Sequence, residues 1–542
     1  MNRVMWIVRW GFTLSLLLPG SVGLSGNVNA KGFPALLAYQ MDWHTDTGEL
    51  NTKGQALVDV LTNADEHGLD SLDYVGASNP LQMSDEALTK AALAYIRDLK
   101  VGRKTPREID PALLVSPPEI NAQDLLSDIY ESMDIHVAMG RLAPQYPEYQ
   151  LLKKRLSEYR KIAAQGGWQK LPEGKTLERG VEDGEVILLR NRLITQRYLN
   201  PSTASSPNFD DNLAESLRSF QEHHGLEVDG KVGRWTRNAL NVSVEDRIMQ
   251  IVLNMERWRW LPDDLGRRHV RVNIAGFYLR IFEENQPVME MPVIVGKPYR
   301  RTPMFSSVIT DVTFHPFWHV PAKIAYANVI PEIIKSSGYL KRQDFEVLKP
   351  EPEGRLKVIE QPETLPWSDF LNSRFPYKLR QKPGDKNALG HVRFNIRNDF
   401  DIYMHGTPDQ GLFSQPVRAK SSGCIRVAEP LKLTEYLLRD YPSWPVSRIR
   451  EVYSRFENIA NPKPLNVTLI EPFPVHLLYW TAWVGDDDHL YFRDDIYGRD
   501  KILGRALFPK GVSFLTRHTE RPIVLIGDKT LKKSSIERGE SS

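Results

Sequence analysis

The spacing of apolar residues changes once along the chain, at Pro262, and this change most constrains the fold. Before it, apolar residues recur at helical spacing, as in residues 56–64 and 85–96. After it they alternate, as in residues 270–274 and 278–282, which is typical of strands. A chain of 542 residues has room for roughly three or four domains. The pattern therefore predicts a multidomain α+β protein whose helical part precedes a β-rich part.

The first thirty residues are typical of an export signal. Arg3 and Arg9 supply a positive flank, and a short apolar core over residues 10–18 ends at Pro19. Residues 28–30, which end at Ala30, have the small-residue spacing of a signal-peptide cleavage site. The apolar run falls short of the ~20 residues that a membrane span needs. We therefore expect a cleaved signal peptide over residues 1–30, whereas an uncleaved signal would leave a membrane anchor.

Charge and cysteine content exclude two broad classes. Lys and Arg total 70 against 68 for Asp and Glu, so no basic surface for nucleic acid is indicated. Cys424 is the only cysteine, which rules out an internal disulfide in an exported chain. Its thiol is then either a small buried apolar group or a reactive one, and its neighbours decide between them.

The helical part divides in two. Residues 31–203 are predicted to form a mainly helical scaffold domain, and a Ser/Pro-rich stretch at its end reads as a linker. Residues 204–243 place Leu213, Leu217 and Phe220 on one helical face, followed by turn and helix-start signals. That pattern resembles the small three-helix peptidoglycan-binding domain of wall enzymes. A capped linking helix is predicted over 244–262.

The β-rich part is predicted to be the domain that carries the chemistry, over residues 263–451. Residues 321–385 interrupt its strands as a long insertion rich in Pro, Lys and Glu, and insertions of this length are usually functional. A C-terminal segment over 452–528 is expected to pack on the scaffold and the β-rich domain. A polar tail over 529–542 ends the chain.

His405 and Cys424 form the constellation that points to chemistry. A free thiol has a pKa of about 8.5 and is mostly protonated at neutral pH, so a nucleophilic cysteine needs help. A neighbouring imidazole can take the proton or stabilise the thiolate as an ion pair. Gly423, directly before Cys424, permits a sharp turn whose N–H groups could face a developing oxyanion.

At these residues the chain resembles the YkuD-type L,D-transpeptidases. Their signature of His-Gly, a loop, and Ser-x-Gly-Cys followed by an apolar residue and Arg fits His405-Gly406 and the stretch 421–426. Ser422 stands where many members carry His or Arg. Further resemblance to the large Gram-negative, YcbB-like subgroup extends over residues 254–262, 295–297, 302–303, 318–321, 387–390, 480–483 and 492–497. The resemblance implies a scaffold domain, a peptidoglycan-binding domain and a YkuD-type catalytic domain with a capping insertion, located in the periplasm.

The resemblance also implies a mechanism. Cys424 would attack a donor tetrapeptide stem, release D-alanine and form a thioester, which the side-chain amine of an acceptor diaminopimelate resolves into a 3→3 cross-link. His405 would act as base and then acid, with its ring oriented by the carbonyl of Gly406. Tyr403 and the N–H groups of Gly423 and Cys424 are candidate oxyanion donors. The residues expected to contact substrate are Trp318, Ser421, Ser422 and Arg426.

Two other functions remain open from the sequence. The same thioester could be hydrolysed by water, giving an L,D-carboxypeptidase or a related hydrolase, or the chain could be a non-catalytic peptidoglycan-binding protein. We expect no cofactor and no metal, since Pro316 and Pro321 flank the pair His315 and His319 and no Glu lies between them. Peptidoglycan stem peptides, carbapenems as covalent inhibitors, and other wall-synthesis enzymes are the expected partners.

Overall fold

The computed structural model describes residues 41–77, 79–455 and 463–509. The expected signal peptide, the polar tail and the end of the C-terminal segment lie outside these residues. Within the described ranges, no helix combines the length and the apolar character needed to cross a membrane.

The N-terminal part is a helical layer, as the apolar spacing predicts. Its helix over Asp85–Val101 is capped by Ser84, whose side chain accepts a hydrogen bond from the Ala87 N–H. The negative charges of Asp85 and Glu86 in the first turn stabilise the positive end of the helix dipole. Leu88, Ala92 and Ile96 are fully buried on its inner face. The helices of this part are α1 Thr52–Thr62, α2 Leu72–Val75, α3 Asp85–Val101, α4 Pro106–Ile109, α5 Ala122–Glu131, α6 Ile135–Gly140 and α7 Pro147–Ala164.

The next three helices are α8 Gly184–Thr195, α9 Asp211–His223 and α10 Arg234–Leu240. They share one apolar core, separate from the main core, and we call this unit the three-helix module. Its core contains Val186 and Leu189 of α8, ahead of the start at residue 204 that the sequence suggested. Three helices surround this core only when α8 is counted, because residues 204–243 contain α9 and α10 alone.

Helix α11 Val244–Arg259 joins the module to the β-rich part and is buried along almost its whole length. Ser243 caps it, accepting a hydrogen bond from the Asp246 N–H at 3.1 Å. Its buried Arg257 is paired with Asp500 at 2.5 Å, and a buried charge without such a partner would be strongly destabilising. The helix is therefore a central element that packs against both the N-terminal and C-terminal parts.

The β-rich part is a closed sheet. Its strand order is β11-β3-β12-β10-β9-β4-β13-β1-β2, and an additional β2–β3 pairing closes eight of these strands into a barrel with β11 attached. The strands are β1 Arg268–Asn273, β2 Tyr278–Glu283, β3 Gln286–Gly296, β4 Phe305–Phe314, β9 Val392–Ile396, β10 Tyr403–His405, β11 Ala419–Ser421, β12 Ile425–Val427 and β13 Leu465–Leu478.

Strand β13 lies between β4 and β1, so the barrel includes residues that follow position 451. Helices α15 Pro430–Leu437 and α16 Val446–Ser454 precede it in the chain. A two-stranded hairpin, β14 Ala482–Val484 and β15 Leu490–Phe492, and helix α17 Arg499–Leu507 follow it. The C-terminal segment thus completes the barrel and also packs on α11.

The insertion has its own sheet and its own apolar core. The sheet has the order β5-β8-β6-β7, and the core includes Ile330, Leu340, Val347 and Trp367. The elements are β5 Trp318–His319, α12 Ala322–Ile324, a π-helical turn over Ala325–Val329, α13 Ile330–Lys335, α14 Tyr339–Arg342, β6 Phe345–Pro350, β7 Leu356–Val358 and β8 Lys378–Gln381.

Candidate active site

Strand pairing brings the two parts of the sequence motif together. Strands β10 and β12 are parallel neighbours, with Met404 level with Ile425 and His405 level with Arg426. One residue earlier, Tyr403 lies at the level of Cys424. Side chains alternate between the two faces of a strand, and the fully buried Met404 and Ile425 point into the core. The remaining side chains of both segments therefore share the opposite face.

That face opens on a cavity of about 250 Å³. The side chains that the sequence predicts to contact substrate or take part in the reaction all line it, whereas Gly406 and Gly423 are not among the lining residues. Its lining residues are Lys297, Arg300, Trp318, Ile324, Asn328, Ala388, Leu389, Tyr403, His405, Lys420, Ser421, Ser422, Cys424 and Arg426.

Opposing effects act on the Cys424 thiol. The side chain is partly buried and its sulfur donates to the carbonyl of Asp401 at 3.5 Å. Burial raises the pKa of the thiol, whereas hydrogen bonds from the backbone N–H and the hydroxyl of Tyr403 to the sulfur act to lower it. Burial prevails, so the resting form is the neutral thiol, and a reaction of this thiol at neutral pH would need a base.

His405 is suited to that task. Its Nδ1 lies 2.6 Å from the carbonyl oxygen of Gly406, which fixes the ring and leaves Nε2 as the basic nitrogen. The side chain is buried, and burial together with the positive charge of Arg426 lowers the pKa of His405 to about 3. The imidazole is therefore neutral at physiological pH. The cavity wall thus carries a neutral imidazole and a neutral thiol, not a resting ion pair.

The loop before Cys424 is ordered by Ser421. Its hydroxyl donates to the carbonyl of Cys424 at 2.6 Å and accepts the N–H of Gly423 at 3.1 Å. Gly423 has φ +125°, a conformation that side-chain-bearing residues rarely adopt. Because the Gly423 N–H is bound to Ser421, the expectation that it serves as an oxyanion donor does not fit this conformation. The Tyr403 hydroxyl and the Cys424 N–H remain the candidates for that role.

A second set of hydrogen bonds fixes the loop from behind. Thr302 donates its hydroxyl to the carbonyl of Gly423 at 2.7 Å. The hydroxyl of Tyr497 accepts the Thr302 N–H at 3.1 Å and donates to the carbonyl of Gly296 at 2.6 Å. All three partners are buried. The C-terminal segment thus supports the loop before Cys424 through one intervening residue, Thr302.

The cavity is positively charged. Lys297, Arg300, Lys420 and Arg426 line it, and no Asp or Glu is among the described residues of its wall. Arg426 is paired with Asp409 at 3.1 Å, while Arg300 donates to the Ser422 hydroxyl at 2.8 Å. A cavity with this lining attracts a ligand that carries carboxylates.

The insertion forms part of the same wall. Trp318 lies on β5, and Ile324 and Asn328 lie on the helical run that follows it. Arg300 approaches the side-chain oxygen of Asn328 at 3.4 Å, so one guanidinium contacts both the insertion and the loop before Cys424. Asn328 belongs to the π-helical turn, and such turns occur often at functional sites.

Four polar residues of this wall were not expected from the sequence: Lys297, Arg300, Asn328 and Lys420. Each lies in a segment that reads as an ordinary loop or helix, and lysine or arginine there is expected on any solvated surface. Their positions along the chain relative to His405 and Cys424 did not identify them, because it is the folding of the barrel and the insertion that brings these residues together in space.

Three domain families match the chain. Residues 267–449 match the family described as YkuD, L,D-transpeptidase catalytic domain. Residues 35–156 match a scaffold domain, and residues 182–240 match a "Putative peptidoglycan binding domain". The last match begins at α8 of the three-helix module, in agreement with the composition of its core.

A protein of Haemophilus influenzae named "Putative L,D-transpeptidase" is 31% identical over 265 residues. The match covers 49% of this chain and spans about half, 51%, of that relative.

Two solved structures are also similar. An L,D-transpeptidase from Mycobacterium smegmatis is 11% identical, with 39% of this chain and 58% of that chain covered and a TM-score of 0.17. One from Xylanimonas cellulosilytica is 15% identical, with 56% and 98% covered and a TM-score of 0.18. The family resemblance found in the motifs is confirmed by the domain matches: the chain carries a YkuD-type L,D-transpeptidase catalytic domain, with a scaffold domain and a peptidoglycan-binding domain before it.

Proposed function

We propose that the protein is a periplasmic L,D-transpeptidase that forms 3→3 cross-links between peptidoglycan stem peptides. The observation that carries this proposal is the shared face of β10 and β12, where Cys424, Tyr403 and His405 line one cavity. The match of the surrounding barrel to the L,D-transpeptidase catalytic family supports it. Cys424 is the proposed nucleophile and His405 the proposed base.

The first half-reaction makes a thioester. Neutral His405 takes the thiol proton as the Cys424 sulfur attacks the carbonyl between the third and fourth residues of a donor tetrapeptide. The negative charge on the tetrahedral oxygen is stabilised by the Tyr403 hydroxyl and the Cys424 N–H. When the intermediate collapses, the C–N bond breaks, His405 returns its proton to the leaving amine, and D-alanine departs.

The second half-reaction transfers the acyl group. The side-chain amine of a diaminopimelate on another stem attacks the thioester and loses a proton to His405. The C–S bond then breaks and Cys424 leaves as a thiol. Water attacking in place of the amine would give the L,D-carboxypeptidase reaction, so the outcome depends on which nucleophile the cavity admits.

The positive lining of the cavity supports an acidic substrate. A tetrapeptide stem carries the carboxylate of its terminal D-alanine and that of diaminopimelate. Lys297 and Lys420 lie in the wall beside the nucleophile loop, and Arg426 extends the positive surface. We infer that these side chains bind stem carboxylates and thereby place the scissile carbonyl over Cys424.

The three-helix module is proposed to hold the enzyme on the cell wall. It matches a peptidoglycan-binding family and its core is independent of the catalytic barrel. Residues 1–30 are proposed to direct export, which would bring the enzyme to its polymeric substrate in the periplasm. Carbapenems are proposed as inhibitors, since opening of the β-lactam ring by Cys424 would leave a thioester at the same position.

A reaction on defined muropeptides tests the proposal. Purified protein is incubated with disaccharide-tetrapeptides, and the products are separated and identified by mass spectrometry. We expect a cross-linked dimer that has lost one D-alanine and whose fragmentation places the bond between two diaminopimelate residues. Tripeptide without dimer would identify a hydrolase, and unchanged substrate would contradict an enzymatic role.

A further inference from the structure

A cluster of metal-ligating side chains lies far from the catalytic cavity. His223 ends α9 of the three-helix module, and Asp487 and His489 lie in the turn of the β14–β15 hairpin. One ligand atom from each of the three lies within 4.8 Å of the other two. His223 is only 5% exposed.

The distances fit tetrahedral zinc. Asp487 Oδ2 is 2.9 Å from His223 Nε2 and 3.5 Å from His489 Nδ1. With zinc–ligand bonds of about 2.0–2.1 Å, two ligands of a tetrahedral site are about 3.3 Å apart. The two measured distances lie on either side of that value. All three ligand atoms lie within 4.8 Å of one another, and a bound ion would replace the contact of His489 Nδ1 with the Asp487 carbonyl oxygen at 3.1 Å.

The remaining ring nitrogens have the partners that metal-bound histidines need. His223 Nδ1 is 3.0 Å from the hydroxyl of Tyr198, and His489 Nε2 is 3.5 Å from the carbonyl oxygen of Arg197. A ligating histidine donates its other N–H to such an oxygen, which fixes the ring and its tautomer. One oxygen is the side-chain hydroxyl of Tyr198 and the other is the backbone carbonyl of Arg197, so two neighbouring residues face both rings.

Access from solvent also suits a metal. Arg493 carries a nearby positive charge, which opposes the binding of a cation. Its guanidinium donates hydrogen bonds to the carbonyl oxygens of His223 and Glu222 at 2.7 and 3.2 Å. Asp487 is 40% exposed and His489 30% exposed, which leaves a path from solvent.

We propose that His223, Asp487 and His489 bind one zinc ion that fastens the three-helix module to the β14–β15 hairpin. Two imidazoles and one carboxylate form a ligand set that zinc takes, with solvent in the fourth position. The hairpin belongs to the same C-terminal segment as β13 of the barrel. The ion would therefore fix the peptidoglycan-binding module relative to the catalytic domain.

The test uses the full mature chain without an affinity tag and with the substitution Cys424→Ala, so that the sole thiol binds no zinc. The chelator-treated protein is titrated with zinc chloride by calorimetry, and bound metal is counted after gel filtration. We expect one zinc per chain at micromolar or tighter affinity, and a zinc-dependent rise in the melting temperature. His489→Ala and Asp487→Asn should each lower the affinity at least tenfold, because a ligand is lost.

A matched control separates this site from adventitious binding. His136 also lies beside a carboxylate, 3.7 Å from Asp59, but belongs to no three-ligand cluster among the described residues. His136→Ala should bind zinc like the parent. His489 is half-buried at the surface, so its variant tests the site even if His223→Ala fails to fold. Absence of stoichiometric zinc, or equal binding by the His489→Ala and parent proteins, would overturn the proposal.

Discussion

Tyr403 lies beside Cys424 in the cavity wall, where hydrogen bonds from its backbone and from its phenolic hydroxyl act to lower the pKa of the thiol. The parallel register of β10 and β12 produces this contact, because Met404 pairs with Ile425 and the preceding residues lie level. Both hydrogen bonds stabilise the thiolate, in opposition to burial. Burial also raises the pKa of Tyr403 above its usual range, so its hydroxyl keeps its proton and remains a donor.

Replacing Tyr403 by Phe removes the side-chain hydrogen bond and leaves the backbone one. A hydrogen bond to a charged group contributes about 1.5–3 kcal/mol, so we expect acylation of Cys424 to slow by roughly 10–100-fold. The pKa of the thiol should rise, which is measured from the pH dependence of its alkylation by iodoacetamide. Tyr299→Phe, at a highly exposed ring outside the cavity, is the control. An unchanged thiol pKa in Tyr403→Phe would contradict the assigned contact.

His405→Gln should lower the acylation rate by about 10²–10⁴-fold, which is the usual contribution of a general base. Since the pKa of His405 is about 3, the parent enzyme should keep a neutral base down to pH 5. The acylation rate, followed by stopped-flow between pH 5 and 8, should therefore show no step near pH 6.5. A loss of rate centred on that pH would mean that the imidazole titrates normally.

Carbapenem treatment should add one inhibitor mass to the protein, and peptide mapping should place it on Cys424. The chain offers no second thiol, and a thioester at this position mimics the proposed acyl-enzyme. Cys424→Ala should lose both the adduct and the activity while it keeps its melting temperature, since the side chain is small and only partly buried. Labelling that persists in this variant would assign the chemistry to another residue.

Lys297→Met and Lys420→Met test the positive lining of the cavity. Each should reduce kcat/KM for a tetrapeptide stem about tenfold, because a charge-assisted contact to a carboxylate is lost. Alkylation by uncharged iodoacetamide should not change, since no carboxylate takes part. Lys341→Met, on the insertion but outside the cavity, provides the comparison. Equal losses with both reagents would indicate a damaged nucleophile instead of weaker substrate binding.

Acid should destabilise the fold before carboxylates titrate. Burial lowers the pKa of His269 and of His476 to about 4, while the unfolded chain binds protons near pH 6.5. Between these values the unfolded state holds the extra proton, so stability falls as the pH falls. Each residue should account for about 2 kcal/mol of unfolding free energy lost between pH 7.5 and 5.

Urea unfolding of His476→Gln at these two pH values measures that effect. Its loss on acidification should be smaller than that of the parent by about 2 kcal/mol. His136→Gln, at an exposed position, should behave like the parent. Equal pH dependence in all three proteins would mean that His476 is protonated in the folded state.

Local patterns predicted much of this molecule. The change of apolar period at Pro262 separates the helices from the barrel, and the motif residues His405 and Cys424 do line one cavity. Such features depend on neighbours along the chain. By contrast, the place of β13 between β4 and β1 depends on pairing across the whole catalytic domain, and no local pattern encodes it.

The features that local patterns did not predict correctly also depend on contacts between distant parts of the chain. The Gly423 N–H was expected to face substrate, but its bond to Ser421 depends on the fold of the loop. The burial of His223 depends in the same way on the β14–β15 hairpin, whose Asp487 lies 2.9 Å from its ring. Helix α8 was assigned to the scaffold because its apolar face fits any helical core, and the partners that bury it follow later in the chain.

The parallel pairing of β10 and β12 also determines which changes this site tolerates. The chain between His405 and Ala419 leaves the sheet and returns, so its length can vary while both strands keep their places. A shift of pairing by a single residue would instead turn Tyr403 and His405 toward the core and Met404 toward the cavity. Changes in the length of the loop between Gly406 and Ala419 should therefore be tolerated, whereas the short strands on either side must be kept intact.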